Sequence, residues 1–119
     1  MKLKPAWVYH MTDVRLSAAA ENDLIQIKSY ITDELSNPTA ASITLAKITK
    51  RIRKLEAFPE LGPSLETILP FQSNYRFLVC GNYIAFYLYE QNTVSVDRIL
   101  HGSRDFVKVL FGGLPQAGR

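Results

Sequence analysis

Two stretches of the chain repeat apolar residues at the spacing of an α-helix. These positions are Ala20, Leu24, Ile27, Ile31 and Leu35 in the first stretch, and Ala41, Leu45, Ile48, Ile52 and Leu55 in the second. Ser17 is placed to cap the first helix, Asn37-Pro38 ends it and starts the second, and Phe58-Pro59 ends the second. Because the connection is so short, the pattern predicts two antiparallel helices with their apolar faces together.

Strand-like residues lie on both sides of the helical pair. Residues 13–16 predict a first strand before the helices, and residues 60–71, with Gly62, Pro63 and Pro70, predict a long loop after them. Three further strands are then predicted at 75–80, 83–89 and 93–100. The short turns between them require antiparallel hairpins.

The middle strand of these three alternates two sets of side chains. We expect Ile84, Phe86 and Leu88 to pack on the helices, and Tyr83, Ala85, Tyr87 and Tyr89 to share the other face. Arg98 is in phase with the apolar Val94 and Val96, so either that face is partly open or a bulge shifts the register.

The predicted fold class is α+β, with one domain over residues 1–119 and a core at about 13–112. A four-stranded antiparallel sheet of order β-α-α-β-β-β packs against the helical hairpin, and a short helix follows at 103–111. The 119 residues are enough for one small domain, and 47% hydrophobic residues allow a core.

Composition excludes several function classes. The net charge of +3 permits a nucleic-acid partner without requiring one. No apolar stretch approaches the length of a membrane helix or a signal sequence, so we expect a cytoplasmic protein with no membrane partner. The single cysteine, Cys80, cannot form an intramolecular disulfide, and we expect a buried side chain with no metal site and no cofactor.

Four segments, in this order and spacing, resemble the RelE/ParE superfamily of bacterial toxins. They are VRLSAAAENDL (14–24), LEAFPELG (55–62), YRFLVCGNYIAFY (75–87) and VDRILHGSRDF (96–106). The resemblance covers about residues 13–112. It implies the toxin of a type II toxin–antitoxin (plasmid stabilisation) module, neutralised by a cognate antitoxin protein in a hetero-oligomer.

The superfamily divides by target. RelE-like members cut mRNA on the ribosome without a metal, whereas ParE-like members bind DNA gyrase and perform no known chemistry. The fold does not decide between these activities, so the site must.

Metal-free RNA cleavage needs a proton acceptor for the 2′-OH and cations for the charge on phosphorus. His101 matches the histidine of YoeB-like nucleases, and Arg104 and Arg76 match basic positions of RelE-like ones. We therefore take His101, Arg104 and Arg76 as catalytic candidates. His10 lies outside the resemblance and is a weak candidate.

Further residues are candidates for substrate binding: Arg98, Tyr83, Tyr87, Lys47, Arg51 and Lys54. The tyrosines could stack on bases, and the three helix cations could contact rRNA or an antitoxin. The chain also departs from the nuclease pattern. Asn82-Tyr83 replaces an arginine at the start of the middle strand, Arg76 stands alone in place of paired lysines, and ParE-like members also lack that arginine.

We expect a ribosome-associated mRNA endonuclease by a narrow margin over a gyrase inhibitor. The preference depends on His101 and three arginines gathering in one pocket, on the side of the sheet that the helices leave uncovered. A non-toxic relative that only binds a partner is the third hypothesis.

Overall fold

The computed structural model describes residues 11–113, so the weak candidate His10 lies outside it. Within these residues, four strands and three α-helices make the fold. They are β1 (Asp13–Leu16), α1 (Ala18–Ser29), α2 (Pro38–Arg53), β2 (Arg76–Cys80), β3 (Tyr83–Glu90), β4 (Thr93–His101) and α3 (Phe106–Phe111). The α+β class and the four predicted strands are confirmed, whereas the last helix begins three residues later than predicted because Asp105 caps it. No helix in this part of the chain is long and apolar enough to cross a bilayer.

The sheet has the order β1-β4-β3-β2 and is mixed, which corrects the antiparallel prediction. β2, β3 and β4 form antiparallel hairpins, but β1 pairs with β4 in parallel, with Asp13 opposite Thr93. The helical hairpin explains the parallel pair, because α2 returns the chain to the start of β1. There the Thr12 amide donates to the Glu56 carbonyl at 2.8 Å.

The helical hairpin forms for the reasons the sequence indicates. Ser17 Oγ accepts a hydrogen bond from the Ala20 amide, and Asn37 Oδ1 accepts one from the Ala40 amide. The end of the first helix differs from the prediction. It changes at Tyr30 into a π-helical turn over Tyr30–Glu34, a distortion often found at functional sites.

Both faces of the sheet are covered, and the faces of β3 are the reverse of the prediction. Ala85 and Tyr87 pack in the main core against α1 and α2, while Phe86 packs on the other face with Leu65 and Leu100. Side chains of α3 and of the long loop before β2 cover that second face. Since β3 is central and buried on both sides, its alternation could not indicate which face meets the helices.

The ambiguity at Arg98 is resolved by a β-bulge. Phe86 lies opposite Arg98 and Tyr87 lies opposite Val96, so Asp97 is the extra residue in β4. β1 ends at Leu16, before the bulge in β4. The last backbone contact between the two segments is the hydrogen bond from the Ser17 amide to the Val96 carbonyl. The second half of β4 is therefore an open edge that faces α1.

Candidate functional site

A cleft lies where the carboxyl end of β4 meets the tip of the helical hairpin; we call it the hairpin cleft. It consists of two adjoining cavities of about 420 and 580 Å³ that share Tyr30, Tyr83 and His101. Arg104 lines the smaller cavity and Lys47 the larger. The cleft therefore joins aromatic, cationic and imidazole groups. It lies beside the hairpin, whereas the sequence predicted a pocket on the uncovered side of the sheet.

The ring of His101 is held in one orientation by the turn after β4. Its Nδ1 accepts a hydrogen bond from the Ser103 amide at 3.1 Å and lies 2.8 Å from Ser103 Oγ. A backbone N–H can only donate, so the neutral imidazole carries its proton on Nε2. His101 is exposed, which leaves Nε2 as the nitrogen that can exchange a proton with a ligand.

Tyr83 forms an aromatic wall of the cleft next to His101. The two rings meet edge to face with their centroids 5.3 Å apart, and Tyr83 lies directly opposite His101 in the β3–β4 pairing. Burial, with a smaller contribution from the Tyr30 phenol, raises the pKa of Tyr83. Tyr83 is thus a neutral aromatic surface at physiological pH, suited to stacking on a planar group.

Arg104 and Lys47 supply positive charge to the hairpin cleft. Both side chains are exposed, and within residues 11–113 neither forms an ion pair or a side-chain hydrogen bond. The Arg104 amide donates to the His101 carbonyl at 2.9 Å, which fixes the turn between them. These charges are available to an anionic partner.

Arg76 lies at the other end of the sheet, which contradicts the predicted convergence. It is opposite Tyr87, four residues along β3 from Tyr83, so about 13 Å of strand separates it from His101. Its Nη1 donates to the carbonyl of Gly62 at 2.7 Å. The guanidinium therefore holds the loop after α2.

Tyr87 is also a structural side chain, contrary to its predicted role in binding. It is fully buried, donates from its hydroxyl to the Pro59 carbonyl at 2.8 Å, and accepts from the Gly62 amide at 2.9 Å. Burial raises the pKa of this phenol. Since the side chain is completely buried and its hydroxyl is bonded to the loop backbone, the ring of Tyr87 is not accessible for stacking on a base.

Arg98 is locked in an ion pair, which also corrects its predicted role in binding. Its Nε and Nη2 donate to the two oxygens of Asp23 at 2.8 Å each, and one of those oxygens accepts from the Ile99 amide at 2.9 Å. The bond to Asp23 raises the pKa of Arg98. Asp23 on α1 thus satisfies the open edge of β4 and neutralises the arginine.

The basic residues of α2 do not form one site. Lys47 reaches the hairpin cleft, Arg51 donates from Nε to the Val79 carbonyl on the β2 edge at 3.1 Å, and Lys54 lies in the turn where α2 ends. Cys80 is buried as predicted, and burial raises the pKa of its thiol to about 11. No three side chains of His, Cys, Asp or Glu between residues 11 and 113 are grouped as a metal site requires.

Comparison with known proteins identifies the family. Residues 14–106 match the model described as "ParE toxin of type II toxin-antitoxin system, parDE". The chain belongs to the ParE toxin family. None of the curated proteins compared with this ParE-family chain matches it.

Solved structures share the fold of this ParE-family chain. It is similar to a chain of the chromosomal ParDE toxin–antitoxin system from P. aeruginosa, with a TM-score of 0.64 and 19% identity over 77% of this chain and 97% of that one. It is also similar to a chain of the RelBE2 toxin–antitoxin complex from Mycobacterium tuberculosis, with a TM-score of 0.55 and 20% identity over 76% and 98%. A conserved hypothetical protein from Helicobacter pylori gives a TM-score of 0.50 and 15% identity over 79% and 98%.

Tyr30 and Ser103 are among the cleft residues that the sequence analysis did not select. Tyr30 faces the cleft because a π-helical turn places it there, and no helical periodicity indicates such a turn. Ser103 supports His101, and the HGS sequence was the signal that could have suggested it, since a serine two residues after a histidine in a turn can reach the ring.

Proposed function

We propose that this ParE-family toxin acts by binding DNA gyrase and inhibiting it, without chemistry of its own. One observation carries the proposal: the arginines that RNA cleavage would need are divided between different structural roles. Arg76 holds a loop, Arg98 pairs with Asp23, and only Arg104 is near His101. The family assignment supports the same choice.

RNA cleavage requires several cations close together, so the separation of the arginines argues against it. A transition state with a doubly charged phosphorane needs cations preorganised around it, and each missing donor lowers the rate by orders of magnitude. The hairpin cleft offers His101 with Arg104 on one side and Lys47 on the other. A protein that only binds its target needs surface charge and exposed aromatic groups, and the cleft supplies both.

A cognate antitoxin is the expected partner. The helical hairpin exposes apolar side chains that a partner helix could cover: Ile25 and Ile43, and at the hairpin cleft Tyr30 and Leu35. Docking of an amphipathic helix along this surface would reach the hairpin cleft and cover its free cations. The toxin and antitoxin would then form a hetero-oligomer.

The gyrase proposal is tested with purified protein, gyrase, ATP and relaxed plasmid. We expect inhibition of supercoiling or trapping of the gyrase–DNA cleavage complex, and we expect Tyr83→Ala to weaken it. Arg15→Ala is the matched control, because Arg15 is exposed on β1 and pairs with Asp13 away from the cleft. Unaltered supercoiling by a preparation that still arrests growth would remove the proposal.

A second candidate is the ribosome-dependent mRNA endonuclease. It is favoured by the oriented imidazole of His101 next to Arg104 and Tyr83 in one cleft. The test is to map mRNA 5′ ends after inducing expression, with His101→Ala as the comparison. New cleavage within codons that the variant loses would support the nuclease. Normal growth on unopposed expression would instead support a binding protein without toxicity.

A further inference from the structure

Positive charge in the hairpin cleft is not balanced by acidic side chains. Among the described residues, Asp23 is the only acid that lines either cavity. Its two oxygens already accept three hydrogen bonds, from Arg98 Nε and Nη2 and from the Ile99 amide, and the side chain is buried. Asp23 is therefore not available to neutralise Arg104 or Lys47. The cleft presents a positive potential to a partner.

Hydrogen-bond donors lie on both sides of the residues that the two cavities share. His101 carries the proton of its neutral ring on Nε2, and no described residue accepts a hydrogen bond from that nitrogen. The Arg104 guanidinium lines the smaller cavity and the Lys47 ammonium lines the larger one. All three groups bind carboxylate oxygens well. The arrangement therefore suits a partner that brings one carboxylate to each cavity.

Apolar side chains line the same cavities beside these donors. Ile27 and Leu100 line the smaller cavity, and Ile31 and Leu35 line the larger one. Leu35 and Tyr30 are 56% and 54% exposed, so their apolar surfaces are open to a partner. A phosphodiester backbone offers charge but no aliphatic group that could cover Leu35, whereas an amphipathic protein segment offers both. The lining therefore favours a protein segment over a nucleic acid.

We propose that the hairpin cleft binds an acidic, amphipathic segment of the target protein, with one carboxylate on Arg104 and His101 and another on Lys47. The inference rests on the proposed function, because it names the chemistry by which gyrase is recognised. The cavity volumes of about 420 and 580 Å³ lie within the range of about 300–1,000 Å³ that is usual for ligand sites. Charges placed in this way speed association and exclude partners without matching acids.

Charge reversal tests the proposal on purified toxin and gyrase. Arg104→Glu and Lys47→Glu should each weaken binding to gyrase by more than about tenfold, because repulsion replaces attraction. Arg53→Glu is the matched control, since Arg53 is exposed on the same helix as Lys47 and lines neither cavity. It changes the net charge equally and should alter affinity by less than about twofold. Arg104→Lys keeps the charge but not the planar guanidinium, and should lose about threefold.

The titrations are made with gyrase alone, with gyrase bound to a DNA duplex and with the duplex alone, and urea unfolding checks that each variant is folded. Selective loss of affinity for gyrase in the two reversal variants supports the proposal. An equal loss for the duplex alone would overturn it, because the occupant would then be a phosphodiester. Wild-type inhibition of gyrase with unchanged affinity in both reversal variants would overturn it and leave the gyrase proposal intact. A wild-type protein that binds gyrase in neither form would remove both.

Discussion

The two ends of the sheet use the same residue types in opposite ways. At the loop end, Tyr87 and Arg76 give their polar atoms to the backbone of the loop after α2. At the cleft end, Tyr83 and Arg104 face the hairpin cleft without such bonds among the described residues. A tyrosine and an arginine are therefore structural at one end and available to a partner at the other.

The difference follows from whether the neighbouring backbone groups need hydrogen-bond partners from side chains. The loop folds back over the sheet and brings the polar groups of Pro59 and Gly62 close to the core, where unpaired backbone groups are costly. The turn at His101–Arg104 satisfies itself, since the Arg104 amide and the Ser103 amide both bind His101. Side chains become free for function where the backbone does not need them.

The largest expected effect is the contrast between Gly62→Ala and Gly102→Ala. A Cβ on Gly62 would lie 2.3 Å from the Phe77 carbonyl oxygen and 2.9 Å from the Tyr87 ring, whereas on Gly102 the nearest atom would be 3.5 Å away. We expect Gly62→Ala to lower the free energy of unfolding by about 3 kcal/mol. Gly102→Ala should change it by less than about 1 kcal/mol. Urea denaturation of both variants measures the contrast, and equal midpoints would contradict it.

The next contrast is between two hydroxyl deletions. Tyr87→Phe leaves the Gly62 amide and the Pro59 carbonyl unpaired in a buried place, which should cost about 2 kcal/mol of stability. Tyr83→Phe removes a hydroxyl with no hydrogen bond among the described residues, so we expect a change below about 0.5 kcal/mol. Thermal and urea unfolding check both values, and a comparable loss in the two variants would show that Tyr83 is also structural.

The third contrast separates function from stability. If gyrase is the target, Arg104→Ala should weaken inhibition about tenfold, equivalent to about 1.4 kcal/mol, without changing the unfolding midpoint. Arg76→Ala should instead lower stability by about 1.5 kcal/mol, because the Gly62 carbonyl loses a charged donor. Dose–response curves for gyrase inhibition and urea denaturation of the same preparations give both readouts. If Arg76→Ala weakened inhibition and Arg104→Ala lowered stability instead, the gyrase-binding surface would lie at the loop end.

The fold was predictable because its signals are local. Helical periodicity, the caps at Ser17 and Asn37 and the short turns between strands each act over a few residues, and the structure confirms the elements they predict. The parallel pairing of β1 with β4 was missed, because it depends on α2 returning the chain to the start of β1, a contact between residues distant in sequence. The faces of β3 were missed for a similar reason, because the loop and α3 bury its second face.

The candidate site was only partly predictable, because whether a side chain is free to bind a ligand depends on residues distant in sequence. His101, Arg104, Tyr83 and Lys47 meet in the hairpin cleft, as a site requires. The guanidinium of Arg98 forms an ion pair with Asp23, which lies 75 residues away in the chain. The sequence contains both residues but does not indicate that the edge of β4 would bring them together. The π-helical turn at Tyr30 likewise has no sequence signal that we identified.

The smallest expected effect concerns two phenols that differ in the cause of their pKa shifts. Burial, together with the 2.6 Å hydrogen bond to Asp97, raises the pKa of Tyr75 from 10.0 to about 12, whereas burial and the Tyr30 phenol raise that of Tyr83. A raised folded-state pKa means that the folded protein keeps the proton that the unfolded chain loses. The contribution of Tyr75 to the free energy of unfolding is therefore fully present below pH 10 and is lost as the pH rises towards 12.

Unfolding in urea between pH 9 and about pH 11.5 measures this loss. Tyr75→Phe should lower stability by about 1 kcal/mol at neutral pH, because its bond to Asp97 is removed, and should make the alkaline decline shallower. Tyr83→Phe should flatten the decline less, since no hydrogen bond to a carboxylate holds its proton among the described residues. Equal slopes in the two variants would mean that burial alone sets both pKa values, and that the bond between Tyr75 and Asp97 does not form in solution.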